Sequence, residues 1–255
     1  MVMIRLKNLI LERQTDRKYV INANYIVSLL ERHDKYLDLS SVNINKNSGR
    51  LHFRVGNWVN TSKEYENYKS VVGDHVLFDE DSFNGLLRTI SFNLNYNITE
   101  KPSKGFVAGS YSTFSIIHNF FVVDTHVLDS EKAEDYMSPD SDIKKIVEWS
   151  LSGKGTLIHE VTHLLVEYIS NFRNKNVYNV KGYDNDPEEI QARLIAVFNS
   201  LENEEFLLSD DDKRSFKKYL NVVMELSKDD LHWDDLTDVN KKNILKRLYQ
   251  HFKSL

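Results

Sequence analysis

The stretch that most constrains this chain is Gly155-Thr156-Leu157-Ile158-His159-Glu160-Val161-Thr162-His163-Leu164-Leu165. On a helix, positions i and i+4 share a face, so the two imidazoles stand one turn apart and can grip a single metal ion. Leu157, Ile158, Val161, Leu164, Leu165, Tyr168 and Ile169 recur at helical spacing around them, and no proline interrupts residues 156–172. The expected element is a buried amphipathic helix. Two histidines and a glutamate in such a setting are costly without a partner. A metal ion suits all three, with the rings as ligands and Glu160 as a base toward a water on the ion.

Composition bounds the rest. At 255 residues and 41% hydrophobic, the chain is long enough to bury a substantial core. Its formal net charge of -5 offers no basic field for nucleic acid or an anionic membrane, and its basic residues are spread rather than clustered. Cysteine is absent, which excludes a disulfide framework and any thiolate metal site. The first residues alternate charged and apolar side chains, unlike a secretory leader. No run approaches the ~20 apolar residues needed to span a bilayer. The expectation is a soluble cytoplasmic protein, with neither nucleic acid nor membrane as a partner; its oligomeric state is left open.

The chain reads as α+β in three stretches. Residues 1–104 form a mixed α/β region packed on the core, with strands at 4–11 and 51–59 and helices at 24–32 and 81–92. Phe83, Leu86, Leu87 and Ile90 make one face of the last helix. The asparagine-rich pieces, Asn43, Asn45 and Asn47, then Asn93, Asn95 and Asn97, suggest turns. Residues 105–205 form the core. Stretches 106–117 and 119–128 are aromatic and β-branched, the pattern of a hairpin turning near His118 and Asn119. Ser138-Pro139-Asp140 starts a helix ahead of the metal-binding one. A polar loop over 171–186 leads to Asp186-Pro187-Glu188-Glu189, an aspartate cap followed by proline and acids in the first turn. Ile190, Leu194, Val197, Phe198 and Leu201 make that helix's apolar stripe. Residues 206–255 add two helices, with cap signals at Ser209-Asp210-Asp211-Asp212 and Asp238.

A catalytic zinc takes three protein ligands and keeps one position open. The third ligand is expected from the helix opened by Asp186. Glu189 is favoured because Ala192 and Ala196 follow it at i+3 and i+7, a small-residue strip that permits close helix approach; Glu188 is the alternative. Candidate donors toward the oxyanion of a tetrahedral intermediate are Tyr183, Tyr178, His118 and Arg193. Gly105 and Gly109 would allow close backbone approach in the first strand of the hairpin. His33, His52, His75, His126, His232 and His251 lack ligand spacing and are expected at the surface or in packing.

His159-Glu160-x-x-His163 followed by Glu189-Ile190-Gln191-Ala192 resembles the gluzincin branch of zinc metallopeptidases, and most closely the short zincin-like peptidases of bacteriophages and bacteria. The resemblance covers about 60 to 90 residues, from the strand pair near Gly105 to the end of the Glu189 helix. It implies a zincin-like core, a small mixed or antiparallel sheet packed on a metal-binding helix and a second ligand helix. It implies one Zn2+ held by His159, His163 and Glu189, with Glu160 as general base. A protein or peptide substrate would lie on the strand pair. Position 169 is Ile169, where metzincins place a third histidine, and Arg193 stands where many gluzincins place an aspartate. That second departure bears on what supports the histidine ligands. A phage-encoded chain would work in the host cytoplasm or the virion. The competing functions are a structural or binding protein that retains a zincin core, such as a virion component, and a metal hydrolase of a non-peptide substrate.

Overall fold

The structure is a computed structural model, and it describes residues 16–32, 43–44, 48–54, 61–98, 109–112, 115–122, 147, 151, 154–169, 184–203, 208–227 and 231–255. Among these residues the chain is α+β and mostly helical. The helices are α1 (16–28), α2 (Thr61–Val72), α3 (Glu80–Thr89), α4 (Lys154–Ile169), α5 (Pro187–Asn203), α6 (Phe216–Leu226) and α7 (Asp238–Phe252). The strands are β1 (Asn43–Ile44), β2 (Ser48–Arg54), β3 (Ser91–Ile98), β4 (Gly109–Ser112) and β5 (Ser115–Val122).

The strands make one mixed sheet in the order β1-β2-β3-β5-β4, so strands from both sides of residue 104 share it. β2 and β3 are antiparallel, β3 and β5 parallel, and β4 returns antiparallel along the outer side of β5. Leu51 and Phe53 alternate with Arg50 and Arg54 along β2, and Phe92, Leu94 and Tyr96 are buried along β3. The sheet therefore has one apolar face, and α4 packs across its β5–β4 end.

Two expectations fail in this sheet. The asparagines at 93, 95 and 97 lie in β3, not in a turn. Their spacing of two puts Asn93 and Asn95 on the face opposite the apolar residues, where cross-strand bonds satisfy them. Asn95 Oδ1 accepts from Arg50 Nε at 2.9 Å, and Asn93 Nδ2 donates to Ser115 Oγ at 2.9 Å. Alternation thus overrides the turn preference of asparagine. The hairpin also turns earlier than expected: Ser112 pairs with Ser115, which puts His118 and Asn119 inside β5. The local signal is the serine-rich stretch Ser110-Tyr111-Ser112-Thr113-Phe114-Ser115, which interrupts the run of strand-forming residues.

Several ends move as well. The helix expected from residue 24 already runs from 16, and α2 was not anticipated. Helix α3 stops at Thr89, with Ile90 as its C-cap, so Phe92 belongs to the sheet. α7 is capped by Thr237, whose hydroxyl accepts from Asn240 N, rather than by Asp238. The strand expected at 4–11, most of the helix after Ser138 and the loop over 171–183 lie outside the described residues, although Val147 is helical and buried.

An aromatic cluster fixes the metal-motif helix at its far end. Tyr68 stacks on Phe83 at 4.4 Å, and Phe78 meets Tyr168 of α4 edge-on at 5.5 Å. The Tyr168 hydroxyl donates to Ser82 O at 2.7 Å, which ties α4 to the start of α3. On the other side, Asp16 pairs with Arg247, Gln191 donates to Asp16, and His251 stacks on Phe198 at 4.5 Å. Those contacts join α1, α5 and α7. Among the described residues, no helix is long and apolar enough to cross a membrane.

Candidate metal centre

Helix α4 buries Leu157, Ile158, Val161, Leu164 and Leu165 completely. Burial of side chains this size contributes roughly 1.5–3 kcal/mol each, which fixes the helix's rotation about its axis. That rotation leaves His159 and His163 on a half-buried edge, with Nε2 atoms 3.2 Å apart and rings nearly perpendicular at 77°. Glu160 lies beside them and is buried, at 7% exposure.

The start of α5 supplies the third group. Asp186 caps it, accepting from Glu188 N at 2.8 Å, and the apolar stripe from Ile190 to Leu201 lies in the core. With Ala192 fully buried, α5 packs along α4. Glu189, at 3% exposure, reaches both rings: Oε1 is 3.4 Å from His159 Nε2, and Oε2 is 3.2 Å from His163 Nε2. Donors held about 2.0–2.1 Å from one ion at tetrahedral angles lie about 3.3–3.4 Å from each other. The separation of 3.2 Å between the two ring nitrogens is close to that spacing, and each ring has its own Glu189 oxygen at 3.2–3.4 Å, with one donor atom from each of the three residues within 4.8 Å of the others. Two imidazoles and a carboxylate are ligand types that a metal ion such as zinc accepts, and three such groups meet here. Glu188, the alternative, is not among them: the ligand atoms that converge belong to His159, His163 and Glu189.

Strand β4 closes the site from the sheet side. A Cβ added to Gly109 would fall 2.6 Å from Thr156 Cγ2 and 2.7 Å from Glu160 Oε1. Only a residue without a side chain lets the β4 backbone come this near the carboxylate. The close backbone approach expected at Gly109 is therefore present, and its neighbours are Thr156 and Glu160; Gly105 lies outside the described residues.

The other candidates are placed as follows. Tyr178 and Tyr183 lie outside the described residues. His118 sits on β5 opposite Gly109 in register. Arg193, buried at 7% exposure, donates from Nε to Glu189 Oε1 at 2.7 Å and from Nη1 to Asp184 Oδ1 at 2.9 Å. Asp184 carries no signal in the sequence, and His232, expected at the surface or in packing, is exposed with its Nδ1 3.2 Å from Asp184 Oδ1. The i, i+4 spacing of Glu189 and Arg193 was the available signal for the first of these bonds. Asp184, His232 and Asp235 also bring three possible donor atoms together, but nearer the surface and with Asp184 already engaged by Arg193.

Burial dominates the electrostatics. It pushes the Glu160 carboxyl up to about 7, with Glu189 raising it further and His163 opposing. His159 is pushed down to about 4, by burial first and then by the neighbouring His163. Burial also acts to lower His163, yet the hydrogen bond and charge of Glu189, with Glu160 and Glu188 behind, outweigh it and raise its pKa. One ring thus stays neutral near pH 7, while its partner holds its proton more tightly.

Searches of protein-family models, of curated proteins and of solved structures found no match to this chain. The reading of the site therefore rests on its own geometry.

Proposed function

We propose that the chain is a zinc-dependent peptidase of the gluzincin kind, built on a zincin-like core. The observation that carries this is the convergence of His159, His163 and Glu189 in one group able to hold a metal ion, with a buried carboxylate alongside. A zinc ion held there supplies the positive charge that acidifies a water and polarises a carbonyl.

Glu160 is not needed to complete the ligand set, which leaves it free for proton transfer. In the metal-free protein burial raises the proton affinity of this carboxyl, and beside an ion-bound water a carboxylate can take a proton and return it to a departing amine. Gly109 and Thr156 restrict where that carboxylate can lie. Among the described residues β4 pairs with β5 on one side only, and an extended peptide could add along its other edge. Peptide hydrolysis uses each of these features, whereas a purely structural metal site has no use for a base beside it.

The test pairs metal analysis with cleavage of a denatured protein by the wild type and Glu160→Gln. One equivalent of zinc in both, with cleavage by the wild type alone, is expected. Zinc-free protein, or equal cleavage by the two, would overturn the proposal.

A further inference from the structure

Arg193 is a charged side chain with little access to water, held at both ends of its guanidinium. One turn along α5 from Glu189, it donates Nε to that carboxylate's Oε1 and Nη1 to Asp184. Asp184 and Asn185 form a single turn ahead of the helix. Asn185 in turn is bound to the C-terminal part of the chain: its Nδ2 donates to Asp235 O at 2.9 Å, and its Oδ1 accepts from Thr237 N at 2.7 Å and Asn240 Nδ2 at 3.0 Å. A continuous series of contacts therefore runs from Glu189 through Arg193 and Asp184 to the start of α7.

We infer that Arg193 is the positioning residue for the third metal ligand, anchored by Asp184, and that the C-terminal segment sets metal affinity through the Asn185 clamp. This rests on the reading of His159, His163 and Glu189 as a ligand set. A glutamate has three rotatable bonds, and ordering such a side chain costs about 1.5–2 kcal/mol. Arg193 fixes Oε1, the carboxylate oxygen that lies 3.4 Å from His159 Nε2, so the orientation exists before an ion arrives. Its positive charge acts the other way and repels a cation. Orientation and charge predict opposite effects of removing it, which makes the inference decidable. Supporting groups around metal ligands are typically worth about 10–100-fold in affinity.

The experiment measures zinc affinity by competition with a chromogenic chelator, and the visible absorption of the cobalt(II) form. It uses the full chain as wild type, Arg193→Met, Arg193→Lys and Asp184→Asn. Arg193→Met is expected to weaken zinc about 10–100-fold and alter the cobalt band. Arg193→Lys keeps the charge but loses the planar fork, and is expected to recover little. Asp184→Asn is expected to fall in the same direction by about 3–10-fold. Unchanged or tighter zinc binding by Arg193→Met, or full recovery by lysine, would overturn the inference and leave the metal centre standing. A merely structural role would lower the melting temperature without moving the cobalt spectrum. Should Arg193→Met fail to fold, Asp184→Asn decides alone, and wild-type affinity there overturns the inference. Absence of zinc binding by the wild type is a different result: it removes the ligand set itself.

Discussion

Replacing Gly109 with alanine tests how tightly the sheet edge confines the proposed base. The added methyl would sit 2.6 Å from Thr156 Cγ2, 2.7 Å from Glu160 Oε1 and 2.9 Å from Glu160 Cγ. Contacts this short are not tolerated in a close-packed interior, so β4 must retreat or the carboxylate must swing aside. Overpacking of this kind costs about 1–3 kcal/mol. For a chain of this size that is about 2–4 °C of melting temperature per kcal/mol. A reacting group displaced by about 1 Å loses on the order of 100-fold in rate. We therefore expect Gly109→Ala to lower kcat/KM by one to two orders of magnitude while zinc content stays at wild-type level. The double-mutant cycle removes any dependence on an assay substrate. In a Thr156→Ser, Glu160→Ala background the obstructing atoms are gone, and the stability cost of Gly109→Ala should largely disappear. An equal cost in both backgrounds would refute the reasoning.

Three further outcomes follow from the same geometry. Zinc uptake at pH 6, below the raised pKa of His163, should release about one proton, read by calorimetry in buffers of different ionisation heat; no release would contradict the Glu189–His163 pairing. In metal-free protein the Glu160 carboxyl binds its proton more tightly folded than unfolded. Its contribution is therefore present below about 4.5 and lost as pH rises toward 7, about 3 kcal/mol in total. Glu160→Gln should gain on the wild type over that interval in thermal melts, and parallel curves would argue against burial as the cause. Tyr68→Phe should cost about 1–3 kcal/mol, because the buried hydroxyl both donates to Asn22 Oδ1 and accepts from Leu77 N; urea unfolding within 0.5 kcal/mol of wild type would refute that, the margin being roughly the spread for neutral surface changes.

The parts of this molecule legible in its sequence are those where one short-range signal acts alone. The α4 motif combines helical apolar spacing with two histidines at i and i+4, and the head of α5 combines a capping aspartate with a proline at the first position. Both elements lie where expected, with Glu189 rather than Glu188 facing the rings. Where two signals compete, composition misled. Asn93, Asn95 and Asn97 favour turns as residue types, yet they alternate with Phe92, Leu94 and Tyr96, and the buried face decides. The chain between β4 and β5 runs through Ser112-Thr113-Phe114-Ser115, whose hydroxyl residues are a weaker turn signal than the glycine or proline it lacks. What no local pattern carries is tertiary: the approach of Gly109 to Glu160, the bond from Arg193 to Asp184 outside its helix, and the contact of His232 with that same aspartate. Such contacts depend on how distant elements are packed.

The most direct measurement is X-ray absorption at the zinc edge of the loaded protein. Three protein donors and one solvent position predict a shell of four nitrogen or oxygen neighbours at about 2.0–2.1 Å, with the outer-shell scattering of two imidazoles, reduced to one in His163→Ala. A six-coordinate shell without imidazole scattering, or a spectrum unchanged in His163→Ala, would place the ion elsewhere and contradict the account.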